Sequence, residues 1–159
     1  MAIKRTTTQS EIDREIEAAI KRLEKAVIHT LRVVGEKVII HARSLPSPKG
    51  TAAIAPHQPN YIDWTGNLRS SIGYVIVKDG SIIADGGFKA ENGGTDGART
   101  GREYAETLAM QIREGFALIV VAGMSYASYV TNKGYDVIDS AELLAEKLAT
   151  ELMKDLKLQ

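Results

Sequence analysis

The chain has no cysteine. That excludes disulfides, thiolate nucleophiles and cysteine-based zinc sites, and it agrees with a reducing compartment. Histidine is scarce as well, at His29, His41 and His57. The first two lie in one helical pattern about 18 Å apart, at about 1.5 Å per residue, too far to share a metal ion. His57 stands alone among prolines. Neither charge predominates, with 20 basic and 20 acidic residues and no basic stripe, so direct nucleic-acid binding is not expected. No apolar run is long enough to span a bilayer, and no membrane association is expected. The longest such run, Phe116 to Ala122, has the length of a strand. The opening "MAIKRTTTQSEIDREIE" has no apolar core of the kind a secretion signal needs. These absences leave a single intracellular domain, long enough at 159 residues to bury a core.

The motifs of common chemistries are missing too. The segment "GGFKAENGGTDGARTGRE" holds six glycines in eighteen residues. It lacks the Gly-x-x-x-x-Gly-Lys-Ser/Thr of a phosphate loop, and it shows no Gly-x-Gly-x-x-Gly that follows a strand and opens a helix. It reads as a mobile surface loop over residues 86–99 that could order against a partner. Ser70 and Ser71 lack the Gly-x-Ser-x-Gly elbow of a hydrolase. The acidic cluster Asp136, Asp139 and Glu142 is explained in its last two members by helix capping. No catalytic, cofactor-binding or metal-binding residue is assigned, and the chain reads as a protein that is not an enzyme. The alternative is a small hydrolase or nucleotide-binding domain whose site lies in the Gly-rich loop.

What is present is strong periodicity. After a flexible N-terminus at 1–9, Ile12, Ile16, Ile20, Leu23, Val27, Leu31, Val34 and Val38 recur at steps of three and four, predicting an amphipathic helix over 10–44. Thr8 and Glu11 form a capping-box pattern, and Glu11, Asp13, Glu15 and Glu17 place negative charge at the positive end of the dipole. Such a helix is longer than a domain of this size can cover by itself, so part of its stripe is open to a neighbouring subunit. The plainer reading is a helix curving over its own sheet, with Gly35 marking a bend.

All four prolines, Pro46, Pro48, Pro56 and Pro59, fall in a loop over 45–63. It reads as a connector, with a Pro-rich ligand for a recognition domain as the other reading. Over 64–159 follows a body of strands and helices. Asp79-Gly80 between "SIGYVIVK" and "SIIAD" marks a two-residue hairpin. A helix is expected from the Thr100/Glu103 capping pattern to Gly115, with Tyr104, Leu108 and Ile112 on one face. "FALIVVAG" predicts a central strand covered on both faces. A last helix starts at Asp139 or Ser140 and turns Ala141, Leu144, Leu148, Leu152 and Leu156 inward. The order implies an α+β domain: a long N-terminal helix and two further helices on a small, mainly antiparallel sheet.

Between the loop and the hairpin lies "NYIDWTGNLRSSIGYVIV", with the only tryptophan. Thr65 is placed to cap a turn from Gly66 to Ser70, Leu68 to face inward, Trp64 to cover the end of the core, and Arg69 to meet a carboxylate on a neighbour. Tyr126 and Tyr129, three apart, suit either a core or an interface.

Two stretches carry a resemblance. "DWTGNLRSSIGYVIV" resembles the Thr-Gly-x-Leu-Arg-x-Ser-Ile signature of a tail-component family of long-tailed bacteriophages and prophages, and "AGMSYASYV" resembles its Tyr-Ala-x-Tyr-Val segment. With the helix order, the likeness runs from Ser10 to Leu156. The chain departs after Val130, where Thr131-Asn132-Lys133-Gly134-Tyr135 replaces an acidic residue and a Gly-Thr pair. The resemblance implies a tail-completion or head–tail joining protein. Such a protein is a structural part of a ring in the virion, assembled in the bacterial cytoplasm, and has no catalytic role or cofactor. Its partners would be copies of itself and other tail or connector proteins. The candidate interface residues are Trp64, Thr65, Gly66, Leu68, Arg69, Tyr126 and Tyr129.

Overall fold

The computed structural model describes residues 8–45 and 61–155. The expectations for the first seven residues, for most of the proline segment with His57, and for Leu156 fall outside the described residues.

Helix α1 (Gln9–Ser44) begins where the capping pattern puts it. The Glu11 carboxylate accepts both the Thr8 backbone N–H and the Thr8 hydroxyl, each at 2.8 Å. At about 1.5 Å per residue its 36 residues span about 54 Å. Gly35 does not break it. A methyl group there would lie 2.7 Å from Cδ2 of Tyr74, so the glycine is a notch that admits the Tyr74 ring.

A short turn, α2 (Asn67–Ser70), leads into β1 (Ile72–Lys78). Asp79 and Gly80 then reverse the chain into β2 (Ser81–Gly87), both with positive φ (50° and 79°) as a tight hairpin requires. Asp79 also exchanges two hydrogen bonds with Gly115: its carboxylate accepts the Gly115 N–H, and its own N–H donates to the Gly115 carbonyl. Helix α3 (Thr95–Ala109), strand β3 (Phe116–Ala122), the short α4 (Ala127–Asn132) and α5 (Asp139–Asp155) complete the order.

The fold is α+β, with a three-stranded antiparallel sheet in the order β2-β1-β3. Alternate side chains of β1 serve opposite faces. Ile72, Tyr74 and Ile76 meet Leu31, Val34, Val38 and Ile39 of α1 and Ala141, Leu144 and Leu148 of α5. Val75 and Val77 meet Ala105 and Ala109 of α3. Each such side chain contributes roughly 1.5–3 kcal/mol on burial, which makes β1 the centre of stability.

Three expectations are corrected. β3 lies at an edge, and the central strand is β1. Continuous apolarity reports that both faces are covered, and it says nothing about the number of flanking strands. α3 starts at Thr95 rather than Thr100, so Thr100 is an interior helical residue and Gly94 stands at the cap. The Gly-rich stretch 86–99 is not a free loop, because it closes β2, turns and forms the first turns of α3. Gly94, Gly97 and Gly101 are buried, and a methyl group on any of them would collide with the backbone of residues 66 to 71. The glycines permit close approach of two backbone segments.

Only the C-terminal half of α1 is covered. Its buried residues run from Thr30 to Ala42, whereas Ile16, Ile20 and Leu23 are 53%, 52% and 41% exposed.

Candidate functional site

The start of β1 and the end of β3 share one edge of the sheet, since Ile72 pairs with Ala122. The chain just before β1 and the chain just after β3 therefore leave the sheet together. They form the two walls of a groove of about 630 Å³. One wall carries Tyr61, Trp64 and Leu68, and the other carries Tyr126, Tyr129 and Tyr135.

The first wall is held by local hydrogen bonds. Asp63 accepts the Arg69 N–H at 2.8 Å, and the Thr65 hydroxyl accepts the Asn67 N–H at 3.2 Å. Gly66 has φ 73° at the cap of α2, and the turn closes with Ser70 N–H to Gly66 carbonyl at 2.9 Å. The two serines have structural partners: Ser71 donates to the Leu68 carbonyl at 2.8 Å, and Ser70 accepts the Glu91 N–H at 2.9 Å. Asn67 accepts the Gly97 N–H at 3.1 Å, fixing α2 to the first turn of α3.

Leu68 and Tyr61, 2% and 6% exposed, form the buried floor together with Val137. Tyr135 meets the Tyr61 ring edge-on, with centroids 6.5 Å apart. The Tyr61 hydroxyl is buried and has no hydrogen-bond partner among the described residues. Burial, and after it the charge of Asp63, pushes that hydroxyl above the usual tyrosine range. The upper walls are open, with Trp64 at 65%, Tyr129 at 63% and Tyr126 at 39% exposure. Burial also raises the Tyr126 hydroxyl, with help from Asp63 and against a hydrogen bond from Thr65. The Lys133 ammonium sits 5.3 Å from the centre of the Tyr129 ring, a cation–π contact at the rim.

The groove unites five of the candidate residues: Trp64, Thr65, Leu68, Tyr126 and Tyr129. Trp64 does not cover the core end as expected, because the floor beneath is already closed by Tyr61 and Leu68. Gly66 is buried beside Glu91, outside the groove lining. Arg69 turns to a carboxylate of its own chain. It forms an ion pair with Glu91 at 3.7 Å, and Glu91 also meets Arg43 of α1 at 2.8 Å. Sequence reasoning missed Tyr61, Asp63, Lys133 and Tyr135. Tyr61 and Tyr135 flanked quoted motifs, but only the pairing of β1 with β3 reveals that they meet.

A second, more polar hollow of about 560 Å³ lies between α1 and β2. Its carboxylates meet partners within the chain: Asp85 pairs with Arg102, Glu91 with Arg43, and Glu36 accepts the Tyr74 hydroxyl. His41 meets the Ser140 hydroxyl at 2.8 Å, and Asp136 accepts the Ser140 N–H at the start of α5. Among the described residues no cluster of three or more metal-ligating side chains occurs, and no described helix is long and apolar enough to cross a membrane. In the Gly-rich segment, the N–H groups of Gly94, Thr95 and Gly97 are taken by Glu91, Gly93 and Asn67.

The fold and groove define a small α+β domain with an open aromatic groove at one sheet edge and half of a long helix uncovered. Comparison with known protein families, with curated proteins and with solved structures finds no match.

Proposed function

We propose that this chain is a structural assembly subunit. Its role would be that of the tail-completion or head–tail joining components of long-tailed phages, which its motifs resemble. It acts by associating with copies of itself and docking on tail or connector proteins in the virion, without catalysis. The observation that carries this reading is the uncovered half of α1. A regular stripe of large apolar side chains at Ile16, Ile20 and Leu23 is exposed on a helix that its own domain fully buries only from Thr30 onward, with contacts reaching back to Val27 and Glu24. An exposed contiguous apolar surface marks an interaction site more often than chance placement does. The aromatic groove adds a second surface with Trp and Tyr enrichment, the composition of interface centres. The alternative of a site in the Gly-rich segment has less support, since Gly94, Gly97 and Gly101 serve close backbone approach and the N–H groups of Gly94 and Gly97 already have acceptors.

Electron microscopy of the purified protein, alone and mixed with phage tail tubes, tests the proposal. Closed oligomers, or density added at tube ends, are the expected result. A chain that stays monomeric and leaves the tube ends bare overturns it.

A further inference from the structure

We propose that β3 pairs antiparallel with β3 of a second copy, edge to edge, joining two three-stranded sheets into one of six strands. The inference rests on the reading of the chain as an oligomerising subunit and names one contact between copies.

The hydrogen-bond ladder shows what this edge offers. In an antiparallel pair, directly opposite residues alternate between bonded and non-bonded pairs. The Gly123 N–H donates to the Ser71 carbonyl and the Asp79 N–H to the Gly115 carbonyl, so the odd-numbered residues of β3 face β1. Phe116, Leu118, Val120 and Ala122 therefore turn their N–H and C=O groups away from β1. Among the described residues no further strand pairs there, and no turn or loop bond reaches these groups. The opposite edge is different. β2 has a register shift against β1, and its Asp85 is paired with Arg102. Bulges and charges of this kind deter edge pairing, and β3, "FALIVVA", has neither. A free apolar edge of this length takes up a strand.

The strand is complementary to itself in one register. Centred on Ile119, this register sets Leu118 against the partner's Val120 and Phe116 against the partner's Ala122. Every outward residue of both strands then has an opposite, and the largest side chain lies beside the smallest. A slide in either direction leaves outward residues of each strand unmatched. The shape of the edge agrees with this register. A hollow of about 380 Å³ lies beside Ala122, lined by Val120 of the same strand, Tyr104 and Leu108 of α3, Thr131 of α4, and Ile138. The partner's Phe116 arrives at that end of the strand, where Tyr104, 48% exposed, stands ready to cover it. Phe116, Leu118 and Val120 pack on the side of α1 and α5, and Ala117 and Ile119 on the side of α3. Opposite residues share a face, so each copy's packed layers continue into the other's. The same strand serves both copies, so the contact is isologous and closes at two, and larger assembly uses other surfaces.

A sequence without cysteine makes the register testable. At its centre Ile119 meets the partner's Ile119 in a non-bonded pair, with Cα atoms about 4.5 Å apart, a spacing that a disulfide accepts. Full-length Ile119→Cys, mildly oxidised, is expected to give a disulfide-linked dimer. Leu118→Cys should not, because its counterpart lies diagonally at about 7–8 Å, beyond disulfide reach. Hydrogen exchange of the wild type, read residue by residue, needs no substitution. The Leu118 and Val120 amides should exchange fast in dilute protein and lose that fast exchange as sedimentation shows dimers forming. The Ile119 and Val121 amides, bonded to β1, should be slow throughout. If the wild type associates while the Leu118 and Val120 amides stay fast, the inference is overturned and the assembly reading stands. Equal crosslinking of the two cysteine variants, or none in a folded Ile119→Cys chain when the wild type dimerises, has the same consequence. Slow Leu118 and Val120 amides in the dilute monomer mean that the edge is already paired within one chain, which also overturns it. If the wild type stays monomeric, the inference falls, and the tail-tube experiment then decides the assembly reading separately.

Discussion

The Tyr74 hydroxyl donates to the Glu36 carboxylate at 2.9 Å, while the ring that carries it lies in the notch left by Gly35 one residue earlier. Strand β1 and helix α1 are thereby keyed together at one level. Burial, with the bond to Glu36 next, pushes the Tyr74 hydroxyl up to about 12. The raised value sets the sign of a pH effect. The unfolded chain loses this proton near pH 10 and the folded chain only near 12. The stability associated with the protonated hydroxyl is therefore complete below pH 10 and is lost as pH rises through about 12. Chemical denaturation from pH 9 to 12 should show that decline, and Tyr74→Phe should make it shallower. An unchanged slope in Tyr74→Phe would place the titration elsewhere. Gly35→Ala, which fills the notch, should lower stability at neutral pH by about 1–3 kcal/mol.

The Gly-rich segment yields a second prediction. Gly97→Ala and Gly101→Ala each place a methyl group against the backbone of residues 67 to 71, where no side-chain rotation relieves the clash. Each should cost about 1–3 kcal/mol or more. Arg99→Ala, on the exposed side of the same helix, should change stability by no more than about 0.5 kcal/mol. Urea titration of the three variants separates the two outcomes, and a silent Gly97→Ala would return the segment to the status of a loop.

Both results bear on what the sequence made legible. Helix α1, the Asp79-Gly80 hairpin and the apolar stripe of α5 were readable because each depends on local periodicity or turn chemistry. The Gly-rich stretch was misread because glycine has two uses, chain freedom and close approach, and only the neighbour at Gly97 (the Asn67 backbone) decides between them. The place of β3 was misread for a related reason: Phe116 to Ala122 is apolar on both sides because helices lie on both faces, yet only β1 pairs with it. The groove was half legible. Trp64 and Tyr129 stood out by type, but Tyr61 and Tyr135 join them only through the pairing of Ile72 with Ala122.

For the uncovered half of α1, Ile16→Ser with Ile20→Ser is the informative change. Both side chains are more than half exposed, so the dilute monomer should lose no more than about 0.5 kcal/mol per site. Association, or docking on tails, should weaken clearly in the same double variant. A stability loss of roughly 2–5 kcal/mol in the dilute monomer would instead mark these residues as ordinary core.

The Tyr61 hydroxyl offers a test of the groove floor at a single oxygen atom. It is buried among Leu68, Val137 and Tyr135 with no partner among the described residues, a state that costs roughly 1–3 kcal/mol relative to a satisfied group. Tyr61→Phe removes the oxygen and keeps the ring against Tyr135, so the dilute monomer should become more stable by about 1 kcal/mol. Leu68→Ala, on the same floor, should destabilise by roughly 2–5 kcal/mol because it leaves a cavity. Urea denaturation of the two variants measures both effects. A less stable Tyr61→Phe monomer would reveal a partner for the hydroxyl within the folded chain.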